Sequence, residues 1–261
     1  MFDFHMHSII SFDGHDTPAT MLRAAEEKGL KEICFTEHTD YQKDKLVQDM
    51  VFDPQLYHAL LDPLHSDKVK IRRGIEFGLK EYNMEQLKTD ISKRRYDFVI
   101  GSIHFVDEID VYFPEFWDGR TIAEAECRFM EQTLSCVQAH EGFDVLGHLT
   151  YLSKSNSHPS NRPLDYEAHR ELTDEILRTL VNKGIGLEIN TSGMHRVHRF
   201  LPDEKYLRRF RELGGEIVTV GSDAHTHDRV GQHTKDACDL LRDIFGYVCT
   251  FEDRKPIFHK L

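Results

Sequence analysis

Phe2-Asp3-Phe4-His5-Met6-His7 gives the chain a short apolar strand candidate that ends in two imidazoles. Side chains two positions apart on a strand share a face, so His5 and His7 can reach one cation together. The pattern recurs. Seven segments, Phe2–His5, Ile33–Thr36, Lys70–Glu76, Phe98–His104, Phe143–His148, Gly186–Asn190 and Glu216–Gly221, are each short, apolar and followed by polar or Gly-rich sequence. Beyond the first, their carboxyl ends read Thr36-Glu37-His38-Thr39-Asp40, Gly74-Ile75-Glu76, Gly101-Ser102-Ile103-His104, Leu146-Gly147-His148, Glu188-Ile189-Asn190 and Gly221-Ser222-Asp223-Ala224-His225. Every candidate strand thus delivers a His, a carboxylate or an amide at the same topological position.

Helical signals separate these strands. Thr17-Pro18 offers an N-cap with Pro at the first helical position, and Gly29 ends that helix. Leu172, Ile176 and Leu180 recur at helical spacing within Asp165–Lys183, with Leu177 and Val181 beside them and Gly184 after. Ile122, Ala125, Phe129, Leu134 and Val137 form a second such stripe. Strand-then-helix units repeated seven times, with no Ser/Pro-rich linker, predict an α/β fold with a parallel sheet, most simply a closed or distorted barrel. A chain of 261 residues fits one such domain, spanning 1–261. In a parallel barrel the carboxyl ends of the strands share one face, where active sites are built.

Composition narrows the function classes. The net charge of −12, from 33 basic and 45 acidic residues, disfavours nucleic acid as a partner. No stretch approaches the about 18 apolar residues of a membrane span, and the first residues lack the basic region of a signal peptide. The five cysteines, Cys34, Cys127, Cys136, Cys238 and Cys249, are odd in number and contain no C-x-x-C. They suggest neither a disulfide framework nor a zinc knuckle, and a cytoplasmic protein is expected. Histidine stands out, with 17 residues.

Six of those histidines (His5, His7, His38, His104, His148, His225) and the carboxylates Asp13, Glu76 and Asp223 exceed what one tetrahedral ion needs, so a multinuclear site is expected. Glu76 can bridge two cations, because each of its oxygens carries lone pairs. Imidazole and oxygen donors suit zinc, manganese or iron alike.

His5-x-His7 with Ser11-Phe12-Asp13-Gly14, then Thr36-Glu37-His38-Thr39-Asp40, Glu76, Gly101-Ser102-x-His104, Gly147-His148 and Gly221-Ser222-Asp223-Ala224-His225, resembles the PHP (polymerase and histidinol phosphatase) superfamily over residues 3 to about 231. Asn190-Thr191-Ser192-Gly193 and the chain length are similar to its free-standing L-histidinol-phosphate phosphatases. The resemblance implies a distorted (β/α)7 barrel with three divalent ions at the carboxyl face. His5, His7, Glu76 and Asp223 would hold the first, Glu76, His104 and His148 the second, and Asp13, His38 and His225 the third. Glu37 and Asp40 would orient imidazoles through their other N–H groups. The implied activity is attack of a metal-bridging hydroxide on the phosphorus of a small phosphorylated metabolite, with Glu76, Asp223 and His225 as catalytic groups. His195 and His198 are candidates for protonating the leaving alcohol.

A phosphomonoester also needs basic donors, and Arg is the planar choice. Arg162 and Arg196, in loops after the fifth and sixth strands, are expected to bind substrate, with Arg199 and Arg229 behind them. Glu115, in Phe113-Pro114-Glu115-Phe116-Trp117, is expected to meet the ammonium of an amino-alcohol phosphate. Competing readings are a PHP phosphoesterase for nucleotides or phosphotyrosine, a one- or two-ion hydrolase of the amidohydrolase type, and a non-catalytic metal-binding module.

Overall fold

The computed structural model describes residues 1–43 and 50–261. Its frame is a ring of seven strands: β1 (Phe2–Asp3), β2 (Glu32–Asp40), β3 (Lys70–Gly78), β4 (Phe98–Ser102), β5 (Val145–Leu146), β6 (Gly186–Asn190) and β7 (Val218–Gly221). Each pairs in parallel with the next. Hydrogen bonds beyond the regular ladders nearly close the ring. The amide of Phe4 donates to the Val220 carbonyl at 2.9 Å, that of Asp223 to His5 at 2.7 Å, and that of His7 to Ala224 at 2.8 Å. The barrel expected from the strand–helix alternation is therefore the barrel observed.

Long helices follow the strands where the sequence signals them. In α1 (Pro18–Glu27), the Thr17 side chain accepts from the Thr20 amide, and Gly29 ends the turn at φ +68°. The helices α2 (Pro54–Leu61), α3 (Met84–Lys93) and α4 (Pro114–Trp117) precede α5 (Ile122–Ala139). Thr121 and Glu124 start α5 with a reciprocal capping box, and its Ala125, Phe129 and Val137 are buried. In α6 (Arg170–Lys183) the buried face is Ile176, Leu177 and Leu180, and Gly184 closes the helix in the left-handed conformation. The helices α7 (Glu204–Glu212) and α8 (Thr234–Ile244) complete the series. No helix among the described residues is long and apolar enough to cross a membrane.

One element was not anticipated. β8 (Tyr247–Glu252) and β9 (Lys255–Lys260) form an antiparallel hairpin against the amino-terminal ends of the barrel strands. Phe251 packs on Phe98 with ring centroids 4.8 Å apart, His259 on Phe2 at 4.4 Å, and Glu252 pairs with Arg72 at 2.9 Å. That end of the barrel is covered, and the polar strand ends lie at the other.

Candidate metal centre

The observed strands stop short of several expected ligands. His104 lies two residues past β4, His148 two past β5, and Asp223 and His225 two and four past β7. The chain there leaves the ladder and aims side chains inward. Asp223 does so at φ +55°, a left-handed conformation that Asp tolerates better than most residues. Glycines make the close approaches possible. A Cβ on Gly221 would stand 2.2 Å from the His5 Cβ, and one on Gly78 would overlap the Asp40 carboxylate.

Glu76, fully buried, is the hub. Its Oε1 lies 2.7 Å from His148 Nε2 and 3.3 Å from His104 Nε2. Its Oε2 lies 3.0 Å from His38 Nδ1, 3.3 Å from His5 Nε2 and 3.5 Å from His7 Nε2. Asp223 Oδ1 is 3.7 Å from His5 Nε2 and 3.5 Å from His7 Nε2. Asp13 Oδ2 reaches His225 Nε2 at 3.1 Å and His38 Nε2 at 3.6 Å. The structure thus brings together all nine residues expected to be ligands: seven line a cleft of 580 Å³, and His5 and His7 lie fully buried behind Glu76 and Asp223.

Their electrostatics are strongly coupled. Burial alone would raise the Glu76 pKa, but His5, His104 and His38 hold it well below the carboxylate range. Burial opposes the charged form of His5, yet Glu188, Glu76 and Asp223 together raise its pKa well above the usual imidazole value. At His7 burial wins, helped by His38 and His225, and the ring is held neutral. Burial acts against ionised Asp40, but His104 and His38 bring it down to about 2.

Hydrogen-bond accounting shows what the cluster lacks. His5 Nε2, His7 Nε2, His38 Nδ1 and Glu76 Oε2 are buried with no hydrogen-bond partner. An orphaned buried polar atom costs about 1–3 kcal/mol. Four converging on one point fit cations. Overlapping trios, among them His5, His7 and Asp223, His5, Glu76 and His148, and His7, His38 and His225, each offer ligand atoms within 4.8 Å of one another. All the donors in these trios are imidazoles and carboxylates, and none is a thiolate.

The surrounding residues set the orientation of these groups. Asp40 Oδ1 accepts from His104 Nδ1 at 2.9 Å, as expected. Glu37 acts one step further out. It accepts from the Ser8 and Ser11 hydroxyls at 2.7 and 2.6 Å, and Ser11 Oγ in turn accepts from the His38 amide. Burial pushes the Glu37 pKa up to about 7 despite those bonds.

Glu188 on β6 was legible as a strand-end carboxylate but given no role. Its Oε1 lies 2.6 Å from His5 Nδ1, and its Oε2 accepts the His148 amide at 2.8 Å. Removing such a partner to a metal-binding imidazole typically costs 10–100-fold in affinity. Glu188→Gln is therefore expected to weaken zinc binding by roughly that factor in a titration of the metal-free protein, and unchanged affinity would show that His5 needs no anchor.

The expected substrate-binding residues divide. Arg196 lines the cleft, its guanidinium donating to Asn156 Oδ1 at 2.7 Å and to the Asn156 carbonyl at 2.8 Å. His195 also lines it, while Arg229 lies beside His195 and donates to Gln232 at 3.1 Å. Arg162 does not reach the cleft. Its guanidinium is held by both oxygens of Glu126 on α5, at 2.9 and 3.0 Å, because that buried carboxylate needs a cation. Glu115 lies on α4 outside the cleft lining, exposed, and His198 and Arg199 line a separate depression. The spacing rule gave the loops correctly but not which way each side chain turns. A residue missed altogether is Lys154, six positions after His148, whose Nζ sits 2.5 Å from Asp223 Oδ2 and 3.0 Å from Ser192 Oγ.

A model of the PHP domain family matches residues 3–192. The chain belongs to the PHP domain family. This PHP protein is 32% identical over 260 residues to a histidinol-phosphatase of Lactococcus lactis, covering 97% of this chain and 95% of the relative. It is 31% identical over 258 residues to a Clostridium acetobutylicum protein named "Probable histidinol-phosphatase", covering 99% and 96%. Its fold superposes with a TM-score of 0.88, at 30% identity and 98% coverage of both chains, on the crystal structure of histidinol phosphate phosphatase from Lactococcus lactis complexed with zinc, L-histidinol and phosphate.

Proposed function

We infer that this PHP protein is a metal-dependent phosphomonoesterase that hydrolyses L-histidinol phosphate to L-histidinol and phosphate. The observation that carries it is the convergence of unpartnered buried imidazole and carboxylate atoms at and just behind the floor of one cleft, in a chain that matches end to end an enzyme crystallised with zinc and both products. The reading takes residues 1–261 as one domain, acting in the cytoplasm on a small phosphorylated metabolite and not on nucleic acid.

His5, His7, Glu76 and Asp223 would hold a first divalent ion, Glu76, His104 and His148 a second, and Asp13, His38 and His225 a third. When bound, the ions supply Lewis acidity, which lowers the pKa of water and offsets the charge that builds on the phosphoryl oxygens. The chain's own groups do the rest. Glu76 and Asp223 keep their charge despite burial, held ionised by the imidazoles and by Lys154 around them, and would help to orient the attacking water. His225, on the same floor, keeps its ring turned toward Asp13 at 3.1 Å. Lys154 and Arg196 present N–H donors to phosphoryl oxygens from the cleft wall. His195, the one of the two candidate acids that lines the cleft, would protonate the departing alcohol.

Phosphate release from L-histidinol phosphate, nucleoside monophosphates and a phosphotyrosine peptide tests this reading. L-Histidinol phosphate is expected to give the highest kcat/KM, and preference for another member of the panel would overturn the substrate while leaving the fold untouched.

A further inference from the structure

Five carboxylates line the cleft: Asp13, Asp40, Glu76, Asp110 and Asp223. Four face a cation or an imidazole of the protein. Asp13 meets His225 and His38, Asp40 meets His104, Glu76 meets five imidazoles, and Asp223 meets Lys154. Asp110 meets none. Its Oδ1 accepts the Tyr112 amide at 2.9 Å, and its Oδ2 takes no hydrogen bond or ion pair from the described residues.

The backbone puts this carboxylate next to the metal-ligand cluster. Phe105–Val106 and Ile109–Asp110 form a short antiparallel pair in which Asp110 lies opposite Phe105, and the Val111 amide donates to the His104 carbonyl at 3.0 Å. Asp110 therefore sits on the backbone beside His104, a residue of the ligand set. Phe12 and Phe113, 62% and 53% exposed, line the same cleft. Exposed aromatic faces on a cleft wall suit a flat ring such as imidazole.

L-Histidinol phosphate carries its ammonium on the carbon next to the one bearing the ester oxygen. With the phosphoryl group at the metal cluster, the ammonium must lie within a few ångströms of it, where an unpaired anion is needed. We propose that Asp110 receives the substrate's ammonium group and so sets specificity for amino-alcohol phosphates. The role expected of Glu115 thus passes to Asp110, which faces the cleft where Glu115 does not. The proposal rests on the phosphatase reading above.

The test compares L-histidinol phosphate with its des-amino analogue, 3-(imidazol-4-yl)propyl phosphate, on the metal-loaded wild-type enzyme and on Asp110→Asn. Asn keeps the Oδ1 acceptor for Tyr112 and removes only the charge. For L-histidinol phosphate, kcat/KM is expected to fall roughly 10–100-fold, chiefly through KM, because one charge-assisted hydrogen bond is lost. For the analogue it is expected to stay within about threefold of wild type, with metal content unchanged. Equal losses on both compounds, or no loss on either, would overturn the assignment. A wild-type enzyme that ignores both compounds but hydrolyses other phosphomonoesters overturns the substrate instead. The Asp110 role is then decided on 2-aminoethyl phosphate against ethyl phosphate by the same ratio. Absence of phosphate release from every ester overturns both.

Discussion

Stripping divalent ions with a chelator is expected to abolish phosphate release, and adding back zinc, manganese or iron to restore it. Among the described residues, the cleft without ions has no other group able to do their work. Lys154 and Arg196, the Lys and Arg side chains that line the cleft, can each give a hydrogen bond to a phosphoryl oxygen, but neither lowers the pKa of a water as a divalent ion does. The floor consists of carboxylates and imidazoles, which repel a phosphate dianion or merely tolerate it. Metal analysis is expected to return about three ions per chain, since nine ligand residues are arranged around the carboxylates Glu76, Asp223 and Asp13. Stripping also removes binding energy from the folded state. A ligand at about 100 times its Kd stabilises by roughly 2.7 kcal/mol, and at about 2–4 °C per kcal/mol the metal-free protein should melt several degrees lower. Undiminished turnover at a metal content near zero would refute both the ion count and the reaction class.

The ligand set was legible in the sequence because it is periodic in topology. Each strand places one polar residue at its carboxyl end, and parallel pairing carries these ends to one face whatever the exact strand length. Boundaries could slip by several residues, as at Val145–Leu146, without moving His148 off that face. Residues held by loops did not share this protection. Arg162, Arg196 and Glu115 all follow strand ends, but the direction of each side chain is decided by a tertiary partner: Glu126 for Arg162 and Asn156 for Arg196. No local spacing encodes those partners. The hairpin of β8 and β9 escaped for a different reason. Its two-residue turn, Asp253-Arg254, has φ of 49° and 63° without the glycine that normally marks such a turn.

The substitution with the largest expected effect is Glu76→Gln. Glutamine keeps the shape of the side chain, removes one negative charge and replaces one acceptor oxygen with an NH2 donor. If the NH2 replaces Oε1, it faces His148 and His104, which lie 2.7 and 3.3 Å away. If it replaces Oε2, it faces His38, His5 and His7, at 3.0 to 3.5 Å. Either orientation takes a donor atom from one of the two ions that Glu76 would share. It also leaves the elevated pKa values of His5 and His104 without one of their causes, so those rings lose part of the field that fixes their state. A lost anchor such as Glu188 only loosens one ligand, at about 10–100-fold. Loss of the shared carboxylate should cost more, about 1,000-fold or greater in kcat/KM, comparable to deleting the main electrostatic element of a hydrolytic site. At least one ion per chain should be lost with it. Ser102 donates to Oε1 at 2.7 Å and can still donate to a glutamine oxygen, so the fold has a means of tolerating the change. Phosphate release and metal content measured on the same folded sample decide the matter. Activity within tenfold of wild type at full metal occupancy would mean that Glu76 is a scaffold for imidazoles and not a bridge between ions.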